Sequence, residues 1–198
     1  NDSRIKLFHH KESSEYMKMK YGCNFYYATE NFEYALKHAH GDYIFLSDQD
    51  DIWLPGKVTR CMELLQRYDC VVHNYQKIDS TGKIFEEKAF KKSPLHKSVW
   101  LNIADNHFRG CCMAFSRKIL EYSLPFPKKL IGHDYWIGIV SSHLGSFYYE
   151  KQPLIQSRWY EDSVSAVKKT SFLYKISFRI DLLKAYIQFA RTLHSLTV

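Results

Sequence analysis

The stretch GDYIFLSDQDDIW, residues 41–53, decides how the rest of the chain is read. Residues 43–46 form a compact apolar run that predicts a buried strand, and Asp48, Asp50 and Asp51 then crowd into four positions. Upstream, Phe32, Ala35, Leu36 and Ala39 recur at helical spacing, so residues 31–40 predict a helix with Asn31 as N-cap and Gly41 as stop. Downstream of the Pro55-Gly56 turn, Val58, Cys61, Met62 and Leu65 predict a second helix, and CVVHNY, residues 70–75, a second strand. Helix, strand, helix and strand at this spacing form the pattern of a sheet covered by crossover helices, so the fold class is α/β.

The same reading extends to the end of the chain. DSTG, residues 79–82, predicts a turn, and residues 83–98 are basic and poorly periodic, which predicts an exposed excursion. Residues 111–116 resume strand character, and a short helix over 117–122 stops before the prolines of LPFP. Asp134 opens a helix whose apolar positions Ile137, Ile139, Val140 and Leu144 run up to Gly145 as cap. FYYE and PLIQSRW predict two short strands. From Thr170 onward the chain predicts a basic amphipathic helix, suited to packing on the domain, on a second copy, or on a membrane surface. Residues 1–167 thus read as one domain and 168–198 as a terminal helix.

Composition narrows the class. A chain of 198 residues supports one domain with a substantial core, and 45% apolar against 25% charged residues excludes the disordered class. The net charge of +7 is uneven, concentrated near residues 83–97 and after 168, which argues against a uniform nucleic-acid surface. Five cysteines without Cys-x-x-Cys spacing suggest neither a disulfide framework nor a zinc site. With no leader pattern and no long uncharged apolar run, the expectation is a cytoplasmic chain, peripheral at the inner face of the plasma membrane.

Carboxylates as close as Asp48, Asp50 and Asp51 repel one another and raise each other's pKa unless a cation intervenes. Asp-x-Asp at the carboxyl end of a strand offers oxygen ligands to Mg²⁺ or Mn²⁺, ions that complete their shell with water and substrate phosphates. The same residues also suit a turn and a helix cap.

Three ordered stretches, GDYIFLSDQDDIWLPGK, GCCMAFSRKILEYSLPFP and HDYWIG, resemble the family 2 glycosyltransferases, in the form of their rhamnosyltransferase-like branch. The resemblance implies a GT-A fold with a mixed, mostly parallel, Rossmann-like sheet and helices on both faces. It implies a metal-dependent inverting transferase that moves a sugar, rhamnose among the candidates, from a nucleotide-diphosphate donor to a polysaccharide or lipid-linked acceptor. Asp48 and Asp50 would hold Mn²⁺ or Mg²⁺. Asn31, Asp48, Asp51 and Arg158 would contact the donor, and Trp53, Arg109, Gly110, His133 and Trp136 the acceptor. Asp134 would be the general base, its carboxylate favoured by a helix N-terminus, although a plain cap has the same appearance.

Two departures qualify the resemblance. After PLI the chain reads SRWYEDSVS, where Ser157, Tyr160 and Ser163 replace the family's usual Tyr, His and Asn. Nothing before Asn31 resembles the family's opening strands, and NDSRIKLF reads as the third strand of the sheet. The expectation is a chain lacking the first strand–helix–strand unit of the nucleotide site, and the alternative function is an inactive glycan- or partner-binding module.

Overall fold

A computed structural model describes residues 2–11, 23–93, 95–128, 132–159 and 172–197. Twelve α-helices and β-strands are described, besides a single 3-10 turn at Gly110–Cys112. They are α1 (Cys23–Lys37), β1 (Tyr43–Phe45), β2 (Ile52–Trp53), α2 (Lys57–Leu65), β3 (Cys70–Ile78) and β4 (Ile84–Glu86), then α3 (Val99–Ala104), β5 (Met113–Ser116), α4 (Arg117–Ser123), α5 (His133–Leu144), β6 (Phe147–Arg158) and α6 (Phe172–Thr197). The strands form one sheet in the order β1-β5-β3-β6-β2, with β4 paired to β3 off this path.

Because strand side chains alternate between faces, the sheet separates two apolar layers. Cys70, Val72, Met113, Phe115 and Ile155 point to one face, where Leu36 of α1, Ile119 of α4, Ile137 of α5 and Leu182 of α6 cover them. Val71, Ala114 and Leu154 point to the other, under Cys61, Leu64 and Leu65 of α2. The α/β class with helices on both faces therefore holds. One expected detail needs correction: among the described strands only β3–β6 is parallel, and the other four pairings are antiparallel. The antiparallel β5 lies between β1 and β3, so β1 stands at an end of the described sheet, not at its centre.

Several element boundaries also move. Helix α1 begins at Cys23, about two turns earlier than the apolar stripe suggests, so Asn31 is an exposed interior residue and not an N-cap. The polar Thr29 faces inward there, 4% exposed, and its Oγ1 accepts the Gly132 N–H at 2.9 Å; an apolar pattern cannot register such a contact. Residues 5–10 form no strand. Ile5 and Leu7 are exposed, and the segment rests on α1 through Phe8 against His38 and His10 against Tyr34. The two short strands expected after Gly145 are one strand, β6, whose pairing shifts register near Asn74 and Pro153. In α2, Val58 is exposed while Lys57 is only 1% exposed. Within the basic excursion, β4 and, just beyond it, α3 are short elements that periodicity did not reveal.

Candidate active site

Strand β1 ends at Phe45, and the chain runs past Leu46, 3% exposed, into the acidic turn. Asp48 and Asp51 turn back toward Cys111, in the turn that precedes β5. One ligand atom from each of these three residues lies within 4.8 Å of the others. The Asp51 Oδ2 is buried and has no hydrogen-bond partner. A buried carboxylate oxygen without a partner is costly, and a cation would relieve it. Burial pushes the Asp48 carboxyl above the usual range, and Asp51, Asp134 and Asp50 push the same way while the Arg109 guanidinium opposes them. The acids therefore share one electrostatic site, and their oxygens suit a hard divalent ion.

Asp134 enters from α5. Its Oδ2 accepts the Gly110 N–H at 3.2 Å, and its Oδ1 accepts its neighbour Tyr135 N–H at 2.9 Å. Gly110 is required at this approach: a Cβ there would stand 2.8 Å from His133 Nε2 and 3.5 Å from Asp134 Cβ. Gly110 thus meets the α5 acid while the next residue, Cys111, meets the β1 acids.

Two cations border the site. Arg109 lies 4.6 Å over the Tyr75 ring, donating from Nε to Cys111 Sγ at 3.2 Å and from Nη2 to Ser157 Oγ at 3.0 Å. Lys57 donates from Nζ to the Cys111 carbonyl at 3.2 Å and sits 4.0 Å over the Trp53 ring. Burial lowers the Lys57 pKa, and the charges of Cys112, Cys61, Cys111 and Asp51 oppose that shift. Neither Lys57 nor Cys111 stood out in the sequence as a site residue. The signal available for Lys57 was its place directly after Pro55-Gly56, at the start of a helix beside the acids.

Other expected site residues lie elsewhere or face inward. Trp136 is 3% exposed, donates from Nε1 to the Ser123 carbonyl and meets Phe189 edge-on, so it is a core residue and offers no open face to a sugar. His133 is buried as well, stacked on Phe32 at 3.8 Å with both ring nitrogens unpartnered. Burial lowers its pKa, against the opposing pull of Asp134. Arg158 binds the carbonyls of Asp79 and Ser80 at the β3–β4 turn, and Asn31 pairs with His10. Trp53 stays at the rim, 37% exposed, its Nε1 donating to Ser47 Oγ. Tyr160, Ser163 and Ser165 lie outside the described residues.

The acidic turn and the Gly110 segment both fall within residues 14–124, which match the family model described as Glycosyl transferase family 2, more than half of the chain. The chain belongs to that family. The fold also matches the crystal structure of S. aureus TarS 1-349 in complex with UDP-GlcNAc, at TM-score 0.52 and 13% identity, over 77% of this chain and 46% of that one. A second structure, S. aureus TarS 1-349, matches at TM-score 0.47 and 14% identity, over 83% of this chain and 52% of that one. This family 2 chain spans about half the length of these two structures. No curated protein matches it.

Proposed function

We propose that this family 2 chain transfers a sugar from a nucleotide-diphosphate donor to an acceptor hydroxyl, with inversion at the sugar carbon. The observation that carries the reading is the pair Gly110-Cys111: the first binds Asp134, the second adjoins Asp48 and Asp51. Two parts of the chain far apart in sequence thereby bring Asp134 and the crowded acids of the β1 turn within one electrostatic field.

In this reading Asp134 takes the proton of the acceptor hydroxyl as its oxygen attacks the anomeric carbon. The bond from that carbon to the diphosphate breaks, and the diphosphate departs with the electron pair. Asp48 and Asp51, with Asp50 in the same turn, would hold Mn²⁺ or Mg²⁺, which supplies positive charge to the departing diphosphate. Arg109 is one nearby fixed cation, oriented by Tyr75 and Ser157, and Lys57 is the other. Trp53 offers the exposed aromatic surface at the rim that Trp136 does not.

UDP-GlcNAc, the ligand in the TarS complex, is the first donor to test, with dTDP-rhamnose second because of the rhamnosyltransferase-like motifs. Thermal shift with each donor, with and without Mn²⁺, should show a metal-dependent rise that Asp48→Ala abolishes. Mass spectrometry of donor turnover should show product from the parent and none from Asp134→Asn. A donor that binds without turnover would favour the binding-module reading. No donor-dependent shift from any nucleotide sugar would defeat the proposal.

A further inference from the structure

Helix α6 carries two apolar faces, and the core accounts for only one. Leu182 and Tyr186 are buried in the main cluster, with Phe178, Ala185 and Phe189 packed beside them. At about 100° per residue, Ile176, Ile180 and Ile187 fall within about 40° of one another, away from the core face. Ile176, Ile180 and Ile187 are exposed by 40%, 45% and 37%. Lys184 and Arg191 follow one edge of this stripe, and Arg179 lies toward the other. The single carboxylate of the helix, Asp181, lies about 60° beyond Lys184, between that edge and the core face.

Helix α3 widens the surface. Trp100 and Leu101 are 57% and 53% exposed, and the Trp100 ring meets Tyr186 of α6 edge-on at 5.2 Å. Arg179 binds the Ala104 carbonyl, tying the end of α3 to α6. The result is an exposed isoleucine stripe flanked by cations on α6, with an exposed Trp on the neighbouring α3.

We propose that this α3–α6 face docks on the surface of an anionic phospholipid membrane. Apolar side chains flanked by Lys and Arg, with Trp at the boundary, match the headgroup layer in both polarity and charge. A second copy is disfavoured by the same charges: two such stripes would press Lys and Arg against Lys and Arg. The helix lies on the membrane and does not cross it, since no described helix is long and apolar enough to span one. The docking is independent of the transferase reading.

The test is co-sedimentation of the whole chain with phosphatidylglycerol-containing vesicles and with pure phosphatidylcholine vesicles. Binding should require the anionic lipid and fall as salt is added. Lys184→Gln/Arg191→Gln should weaken it about 30-fold, about fivefold for each cation removed. Ile180→Glu/Ile187→Glu should abolish it while leaving the melting temperature unchanged, since both residues point away from the core. Trp100 should report contact as a fluorescence blue shift absent from Trp100→Phe, and Asp134→Asn should bind vesicles like the parent. Equal binding to both lipids, no binding to either, or variants that bind like the parent would overturn the proposal. So would a dimer in sedimentation equilibrium that Ile180→Glu/Ile187→Glu dissociates, because the face would then belong to a second copy.

Discussion

Gly138, in the middle of α5, is where the placement of Asp134 can be tested through packing alone. A Cβ at this position would collide with Cγ, Cδ1 and Cδ2 of Phe108, all well inside the 3.0 Å that real Cβ atoms respect. Phe108 is 3% exposed in the main core, so its ring has no open space to enter. Overpacking of this kind costs about 1–3 kcal/mol, and three ring atoms in conflict place Gly138→Ala at about the upper end. Replacing glycine by alanine inside a helix returns about 1 kcal/mol, leaving a net loss of about 2 kcal/mol, or about 4–8 °C in Tm for a chain of this size. In a Phe108→Ala background, itself weaker by about 3–5 kcal/mol, the obstruction is gone and only the helix-propensity gain survives. Gly138→Ala should then stabilise by about 1 kcal/mol, a reversal of sign that a double-mutant cycle from urea melts reads directly. Equal effects of Gly138→Ala in both backgrounds would refute the claim that the Phe108 ring is what demands glycine at position 138.

Asp134→Asn should lower kcat by about 10²–10⁴-fold, with the donor-induced thermal shift unchanged, in a turnover assay by mass spectrometry. Asp48 has a folded pKa raised mainly by burial, so its contribution to stability is present at low pH and is lost as pH rises through that raised value. In metal-free buffer Asp48→Asn should therefore gain stability over the parent at neutral pH and lose that gain in acid, as urea melts across pH would show. His73 behaves oppositely: fully buried, its pKa lowered from 6.5 to about 3 chiefly by burial, it favours the fold above 6.5 and penalises it increasingly as pH falls toward about 3. Over that window the parent should lose up to about 1.4 kcal/mol per pH unit that His73→Leu does not lose, provided both are measured by the same urea titration.

The acidic turn could be located from the sequence because its parts are contiguous. A strand-like run followed by three acids in four residues needs no knowledge of the remaining chain, and the helix that begins beside Asp134 and stops at Gly145 is equally local. Gly145 takes φ 85°, as a helix-ending glycine does. Trp136 departs from its expected place for the opposite reason. An aromatic residue next to an acid has the same local pattern whether it faces a cleft or a core, and only the contacts with Ser123 and Phe189 distinguish the two. Arg158 was drawn away from the acids by carbonyls of the β3–β4 turn, a hairpin that periodicity left unassigned.

Period and punctuation along the chain were therefore enough for the α/β class, the alternating layers and the position of the carboxylates, since each depends on neighbours within a turn or a strand. Folding was needed to choose among chemically similar residues. The antiparallel β5 brings Cys111 to Asp48 and Asp51, and close contact at Gly110 brings in Asp134. Packing of α6 on the core leaves its isoleucine stripe uncovered. Such outcomes depend on register and on distances between elements, and those are set by how whole surfaces fit together.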